Sequence, residues 1–149
     1  MYKHLLVPTD GSPLSLKAAK AAAGLAKKLG AKVTAVYVTA PWMPPMIPEG
    51  VQPSSLEGME ATYKHTADAT ADKALEQVAK VADAAGVKCE ALRMTGDQPW
   101  KVIISAASKH KCDLVVMASH GRRGLAGLLI GSETTKVLTH SKIPVLVCR

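Results

Sequence analysis

Phenylalanine is absent from the 149 residues, and aromatic residues make up only 3% of them. The core must therefore be filled by Ala, Val, Leu, Ile and Met, and a hydrophobic share of 48% supplies them. That composition suits closely packed helices on a sheet of β-branched strands. Cysteine is scarce as well: Cys89, Cys112 and Cys148 are an odd number with no close pair. Neither a disulfide framework nor a zinc knuckle is expected, and the three are read as buried, reduced thiols. His4, His65, His110, His120 and His140 fall at no recognised metal-ligand spacing, which argues against a metal held by side chains. No apolar run approaches the roughly 18 residues of a membrane helix. Met1 to Val7 leads straight into a strand without a signal-peptide layout, so a cytoplasmic protein with no membrane contact is expected. The net charge is +7, yet the basic residues are spread along the chain. Nucleic-acid binding calls for a basic stripe with interleaved aromatics or a recognition helix, and neither is present. A positive surface still favours an anionic small ligand.

The length fits one domain over residues 1–149. Residues 2–8 form an apolar run ended by Pro8, the pattern of a buried central strand. Ser12 is a good N-cap and Pro13 suits the first helical position, so a helix starts there. Its expected inner face carries Leu14, Ala18, Ala21, Ala22, Leu25 and Leu29, and Gly30 stops it. Val33–Val38 is a second strand. The proline-rich run 41–53, with Trp42, Met43, Met46 and Ile47, is expected to be a long surface loop or lid packed on a neighbouring face. A long helix from about Leu56 to Ala85 follows, with Ala67, Ala71, Ala74, Val78, Val81 and Ala85 on one face. Val87–Met94 alternates as a strand near an edge. Asp97 is the expected cap of a third helix carrying Val102, Ile103, Ala106 and Ala107. Asp113–Ala118 is the fourth strand, Ser132–His140 the last helix, and Pro144–Cys148 the fifth strand. Alternating strands and helices predict a doubly wound open α/β sheet, Rossmann-like, with helices on both faces.

No Walker A sequence occurs, and no GxGxxG follows the first strand, so P-loop phosphotransferases and dinucleotide dehydrogenases lose ground. The chemistry-bearing stretch is Val115 to Thr134, an apolar strand followed by small residues, two arginines and Gly131-Ser132 opening a helix. Glycines allow close backbone approach, and a helix start offers unpaired amides and the positive end of the peptide dipole. Arg122 and Arg123 can offset phosphate charge. An ordinary strand-to-helix connection with solvated arginines fits the same residues equally well. Asp10 sits at the carboxyl end of the first strand, where open parallel sheets bind ligands. By itself it reads equally as a turn-former bonding nearby amides.

Leu6-Val7-Pro8-Thr9-Asp10-Gly11-Ser12, Val36-Tyr37-Val38, Gly96-Asp97-Gln98-Pro99, Asp113 to Arg122, Gly131-Ser132 and Pro144 to Val147 occur in an order and spacing that resembles the universal stress protein family over nearly the whole chain. The resemblance implies strand order 3-2-1-4-5, with Asp10 and the glycine stretch meeting at one crevice. Its ATP-binding branch is similar to a Gly, two residues, Gly, nine residues, Gly, Ser/Thr pattern. Ala118, Gly121, Gly131 and Ser132 match it, with Ala118 a departure whose methyl is tolerated unless that residue needs a positive φ or the ribose packs directly on its Cα. The resemblance implies ATP as ligand, with magnesium bridging its phosphates. Val38 would hold the adenine edge through its backbone, with Pro8, Thr9 and Asp10 lining the adenosine pocket. Met117, Ala118 and the residues to Gly121 would run beneath ribose and phosphate. Gly131, Ser132, Glu133, Thr134 and Arg122 would face the phosphates. His120 matches the motif and is read as ordering the loop rather than as catalytic.

Three functions compete: a nucleotide-binding stress or signalling module, a slow ATP hydrolase or adenylate-handling enzyme, and a ligand-free structural dimer. No nucleophile and base pair or carboxylate cluster is evident for catalysis, so no catalytic residue is assigned. A homodimer is expected through the C-terminal strand, since Val145-Leu146-Val147 lies at a sheet edge without proline or charge to discourage pairing.

Overall fold

In the computed structural model, which describes residues 1–46, 54–121 and 130–149, β1 (His4–Pro8) lies at the centre of a five-stranded parallel sheet. β2 (Lys32–Thr39) and β4 (Leu114–Ala118) flank it, and β3 (Cys89–Thr95) and β5 (Val145–Cys148) form the edges, giving the order β3-β2-β1-β4-β5. Leu5, Leu6 and Val7 are wholly buried, because a central parallel strand is covered on both faces. The period of two then sorts side chains between two cores. Leu5, Val7, Val33, Ala35, Leu114 and Val116 point to the face covered by α1 (Pro13–Leu29) and α2 (Ser54–Ala84). Leu6, Val36, Val115 and Met117 point to the face covered by α3 (Pro99–Lys109) and α4 (Ser132–His140).

α1 begins and ends as its sequence dictates. The Ser12 hydroxyl accepts the Ser15 amide at 3.1 Å, Pro13 opens the helix, and Gly30 closes it at φ +63°, donating to the carbonyls of Ala26 and Lys27. Its inner face differs from the expected one. Ala19, Ala23 and Ala26 join Ala18 and Ala22 in the core, Ala21 is exposed, and Leu25 and Leu29 are half-buried. A helix with alanine on every side carries too little contrast for spacing to fix its rotation.

α2 has 31 residues, about 46 Å of helix at 1.5 Å per residue. Only its later part is core: Ala71, Ala74, Leu75, Val78 and Ala82 are buried, while Val81 is half-buried. Ahead of it Trp42 leans on Tyr63 with ring centroids 5.3 Å apart, and the Tyr63 hydroxyl donates to the Ala40 carbonyl at 2.7 Å. The proline-rich segment thus packs on α2 through Trp42, while Met43 and Met46 are exposed. Its remainder, 47–53, lies outside the described residues.

Two further expectations need correction. Asp97 does not cap α3, whose N-cap is Gln98 without a side-chain cap bond. The carboxylate of Glu133 on α4 reaches the Trp100 amide instead, at 2.9 Å. Of the three free thiols only Cys112 is buried, and Cys89 and Cys148 are half-buried on strands at the sheet edges. Burial pushes the Cys112 thiol up to about 11. Among the described residues no helix is long and apolar enough to cross a membrane.

Candidate functional site

β1 leads into α1 on one face of the sheet and β4 leads towards α4 on the other, so their carboxyl ends part and leave a crevice at the reversal of strand order. The β1 side is a turn built from its own side chains. The Thr9 amide donates to the Val36 carbonyl at 2.9 Å, and its hydroxyl accepts the Gly11 amide at 3.1 Å. Because the Ser15 hydroxyl donates to the Ser12 carbonyl, the Thr9 hydroxyl is the donor in its 3.1 Å bond to Ser15. Asp10 accepts the Ser12 amide at 2.9 Å through Oδ1. Thr9 and Asp10 therefore shape the lip as well as line it.

The β4 side is held by bonds between distant residues. Ser119 donates its amide to the Cys148 carbonyl at 2.7 Å, and its own carbonyl accepts the Gly131 amide at 2.7 Å. The buried Thr134 hydroxyl donates to the Ala118 carbonyl at 2.9 Å, so it points into the sheet rather than towards a ligand. Thr135 makes the first intrahelical bond of α4, to the Gly131 carbonyl at 2.9 Å. The amides of Ser132, Glu133 and Thr134 precede it and face out of the helix start, beside the exposed Ser132.

Two glycines here leave little room for a side chain. A Cβ at Gly121 would lie 2.5 Å from Asp10 Oδ2, so the two turns come close there. A Cβ at Gly131 would meet Cα and Cβ of His120 at 3.1 Å and the Ser119 carbonyl at 3.4 Å. Ala118 meets the first of the two conditions set for its methyl, that of φ. It is a buried strand residue, and Lys111 is the only non-glycine residue at positive φ among those described.

Val38 stands at the carboxyl end of β2. The Val36 carbonyl faces β1 and the Thr39 carbonyl faces β3, where it accepts the Gly96 amide at 3.0 Å. By alternation the Val38 amide and carbonyl face the β1 side, two residues beyond the last pair, Pro8 with Val36. Pro8 is half-buried at the strand end, and Met117 is a core residue forming the floor. The His120 Nδ1 lies 3.2 Å from the Ser119 hydroxyl, a local contact at the loop. Arg122 and Arg123 lie outside the described residues. A separate hollow of about 210 Å³ opens on the α2 side of β2, among Tyr37, Val38, Ala40, Tyr63 and Thr66. It is smaller than the ~300 Å³ at which ligand pockets begin, and it shares only Val38 with the crevice.

Sequence reasoning missed the partners of Glu133. Its Oε2 accepts the Trp100 amide, and its Oε1 pairs with Lys136 at 3.2 Å. An uncapped start at Gln98-Pro99 is the only local sign that α3 draws a cap from elsewhere. Among the described residues no group of three or more His, Cys, Asp or Glu is placed to hold a metal ion.

The fold and crevice define a doubly wound α/β protein with a helix start aimed at the switch point of its sheet. Comparison with known proteins narrows that class: the universal stress protein family matches residues 1–149, and the chain belongs to that family. A universal stress protein of Methanocaldococcus jannaschii is 36% identical over 149 residues, covering 100% of this chain and 83% of that one. The solved universal stress protein UspA of Lactobacillus plantarum superposes with a TM-score of 0.81 at 25% identity, covering 99% of this chain and 98% of its own. A universal stress protein solved in complex with cAMP gives a TM-score of 0.72 at 29% identity, covering 99% and 97%.

Proposed function

We propose that this chain, as one domain over residues 1–149, binds an adenine nucleotide, ATP, in the crevice between β1 and β4. It acts as a cytoplasmic stress-response or signalling module rather than as an enzyme. The observation that carries this reading is the start of α4, whose leading amides are held at the switch point by the Gly131 and Thr134 bonds to the end of β4. The outward Val38 backbone suits the edge of an adenine, and Pro8, Thr9 and Asp10 line the adenosine. Met117 and Ala118 underlie the ribose, and Gly121 lets the chain pass close to Asp10. Ser132 adds its hydroxyl and, with Glu133 and Thr134, its amide to the phosphates, and Arg122 adds charge. Magnesium would be held by the phosphates and water. The cAMP complex of a relative supports an adenine nucleotide as the ligand class. Negligible turnover fits a site whose Thr9 and Thr134 hydroxyls and Glu133 carboxylate serve internal bonds. Titration calorimetry with adenosine, cAMP, AMP and ATP tests the reading. ATP should bind more tightly than adenosine, and absence of heat with all four would overturn it.

The same reading includes a homodimer through β5. The carbonyls of Pro144 and Cys148 accept the amides of Val115 in β4 and of Ser119 just beyond it, so the Leu146 backbone faces inward and that of Val147 outward. Leu146→Pro should unfold the chain by breaking the ladder, and Val147→Pro should give a folded monomer. Sedimentation that finds Val147→Pro still dimeric would move the interface elsewhere.

A further inference from the structure

A carboxylate one residue into the helix that receives phosphate is at first sight misplaced, because it repels the ligand. Glu133 has both oxygens engaged, Oε2 by the Trp100 amide at 2.9 Å and Oε1 by Lys136 at 3.2 Å. The Trp100 amide lies in the first turn of α3, which has no cap of its own. The other end of α4 meets the same residue: the Trp100 ring lies 4.6 Å, centroid to centroid, from that of His140. Trp100 thus touches the first and last turns of α4, by its backbone at one end and its ring at the other. With Gly131 and Thr134 tied to β4, the helix start is fixed from two directions, and one of them is Glu133.

We propose that Glu133 is a positioning residue for the phosphate end of the crevice. By accepting the Trp100 amide it locks the first turn of α4 to the start of α3, and so aims the amides of Ser132, Glu133 and Thr134. The inference rests on the nucleotide reading above and adds a role that opposes simple electrostatics. Removing a negative charge beside an anion site should tighten binding, whereas removing a positioning bond should weaken it.

E133A and E133Q separate the two, since glutamine keeps an acceptor oxygen for Trp100 and loses the charge. Calorimetry should find adenosine bound equally by wild type and both variants. The gain from adenosine to ATP should fall about tenfold in E133A, or 1.4 kcal/mol, and be retained or raised in E133Q. Amide exchange at Trp100 should quicken in E133A and not in E133Q. ATP affinity that is unchanged or raised in E133A, or lost equally in E133Q, would overturn the proposal, as would unchanged Trp100 exchange in E133A. A wild type that gains nothing from adenosine to ATP overturns the phosphate assignment itself. The Trp100 exchange rate tells that failure apart from failure of the α3 to α4 clamp.

Discussion

The two turns that face each other across the crevice are built in opposite ways. The β1 turn, Thr9 to Ser15, is shaped mainly by its own side chains, with hydrogen bonds between residues two, three and six apart, and the Thr9 amide ties it to the Val36 carbonyl of β2. The β4 turn is held by distant partners: Ser119 by Cys148, Gly131 by Ser119, Thr134 by Ala118 and Glu133 by Trp100. A turn held mostly by neighbours depends less on the rest of the chain. One held from three elements moves when any of them moves, which suits the side that reads out a ligand.

That contrast can be broken most severely at Gly131. A branched side chain there meets the His120 backbone, costing about 1–3 kcal/mol of overpacking and displacing the α4 amides. Gly131→Val should lower ATP affinity about 100-fold or more, ~2.7 kcal/mol, while circular dichroism keeps the native spectrum. Unchanged affinity would remove α4 from the site.

Thr134→Val is next. It deletes the hydroxyl that satisfies the Ala118 carbonyl, and a buried acceptor left unpaired costs about 1–3 kcal/mol. The urea midpoint should drop with the slope unchanged. A midpoint equal to that of wild type means the distant bonds do not hold this turn.

On the self-contained side, Ser12→Ala removes a single cap bond and should cost about 1 kcal/mol, with ATP affinity preserved. If it impairs binding as much as Gly131→Val does, the two turns are not mechanically distinct.

The mildest effect is expected at the opposite end of β1, where buried His4 also relies on distant partners. Its Nε2 lies 2.7 Å from the Thr34 hydroxyl and its amide donates to Asp113 at 3.0 Å. Burial, then the charge of Lys32, holds its imidazole below the usual 6.5, against the His110 backbone, Asp113 and Glu90, which act to raise it. The unfolded chain therefore takes up the proton first. The stability this provides is present above pH 6.5 and is lost as the pH falls through the folded value. His4→Gln should flatten the fall in unfolding free energy measured below neutrality, and an identical pH profile would contradict the assignment.

What could be read from the sequence follows the same division. Ser12, Pro13 and Gly30 act on amides and carbonyls within a few residues, so α1 could be bounded from its letters alone. The α3 cap could not, since nothing near Gln98 reveals that Glu133 supplies it. The inward face of α1 was lost for another reason: alanine on every side leaves the rotation to tertiary packing. At the site, the family resemblance implied that Asp10, Gly121, Gly131 and Ser132 share one crevice. Only geometry revealed that the Thr134 hydroxyl turns inward and that Ala118 needs no positive φ.

Trp100 has one more consequence, and it concerns light. The chain holds two tryptophans, and they stand on opposite faces of the sheet, Trp42 against Tyr63 on α2 and Trp100 against His140 on α4. The emission of an indole follows the charges and water around it. The Trp100 ring meets both the His140 ring and the Lys101 ammonium, so its emission should respond to the seating of α4. With Trp42→Phe in hand, a fluorimeter alone can follow the helix start as nucleotide arrives, with no label attached.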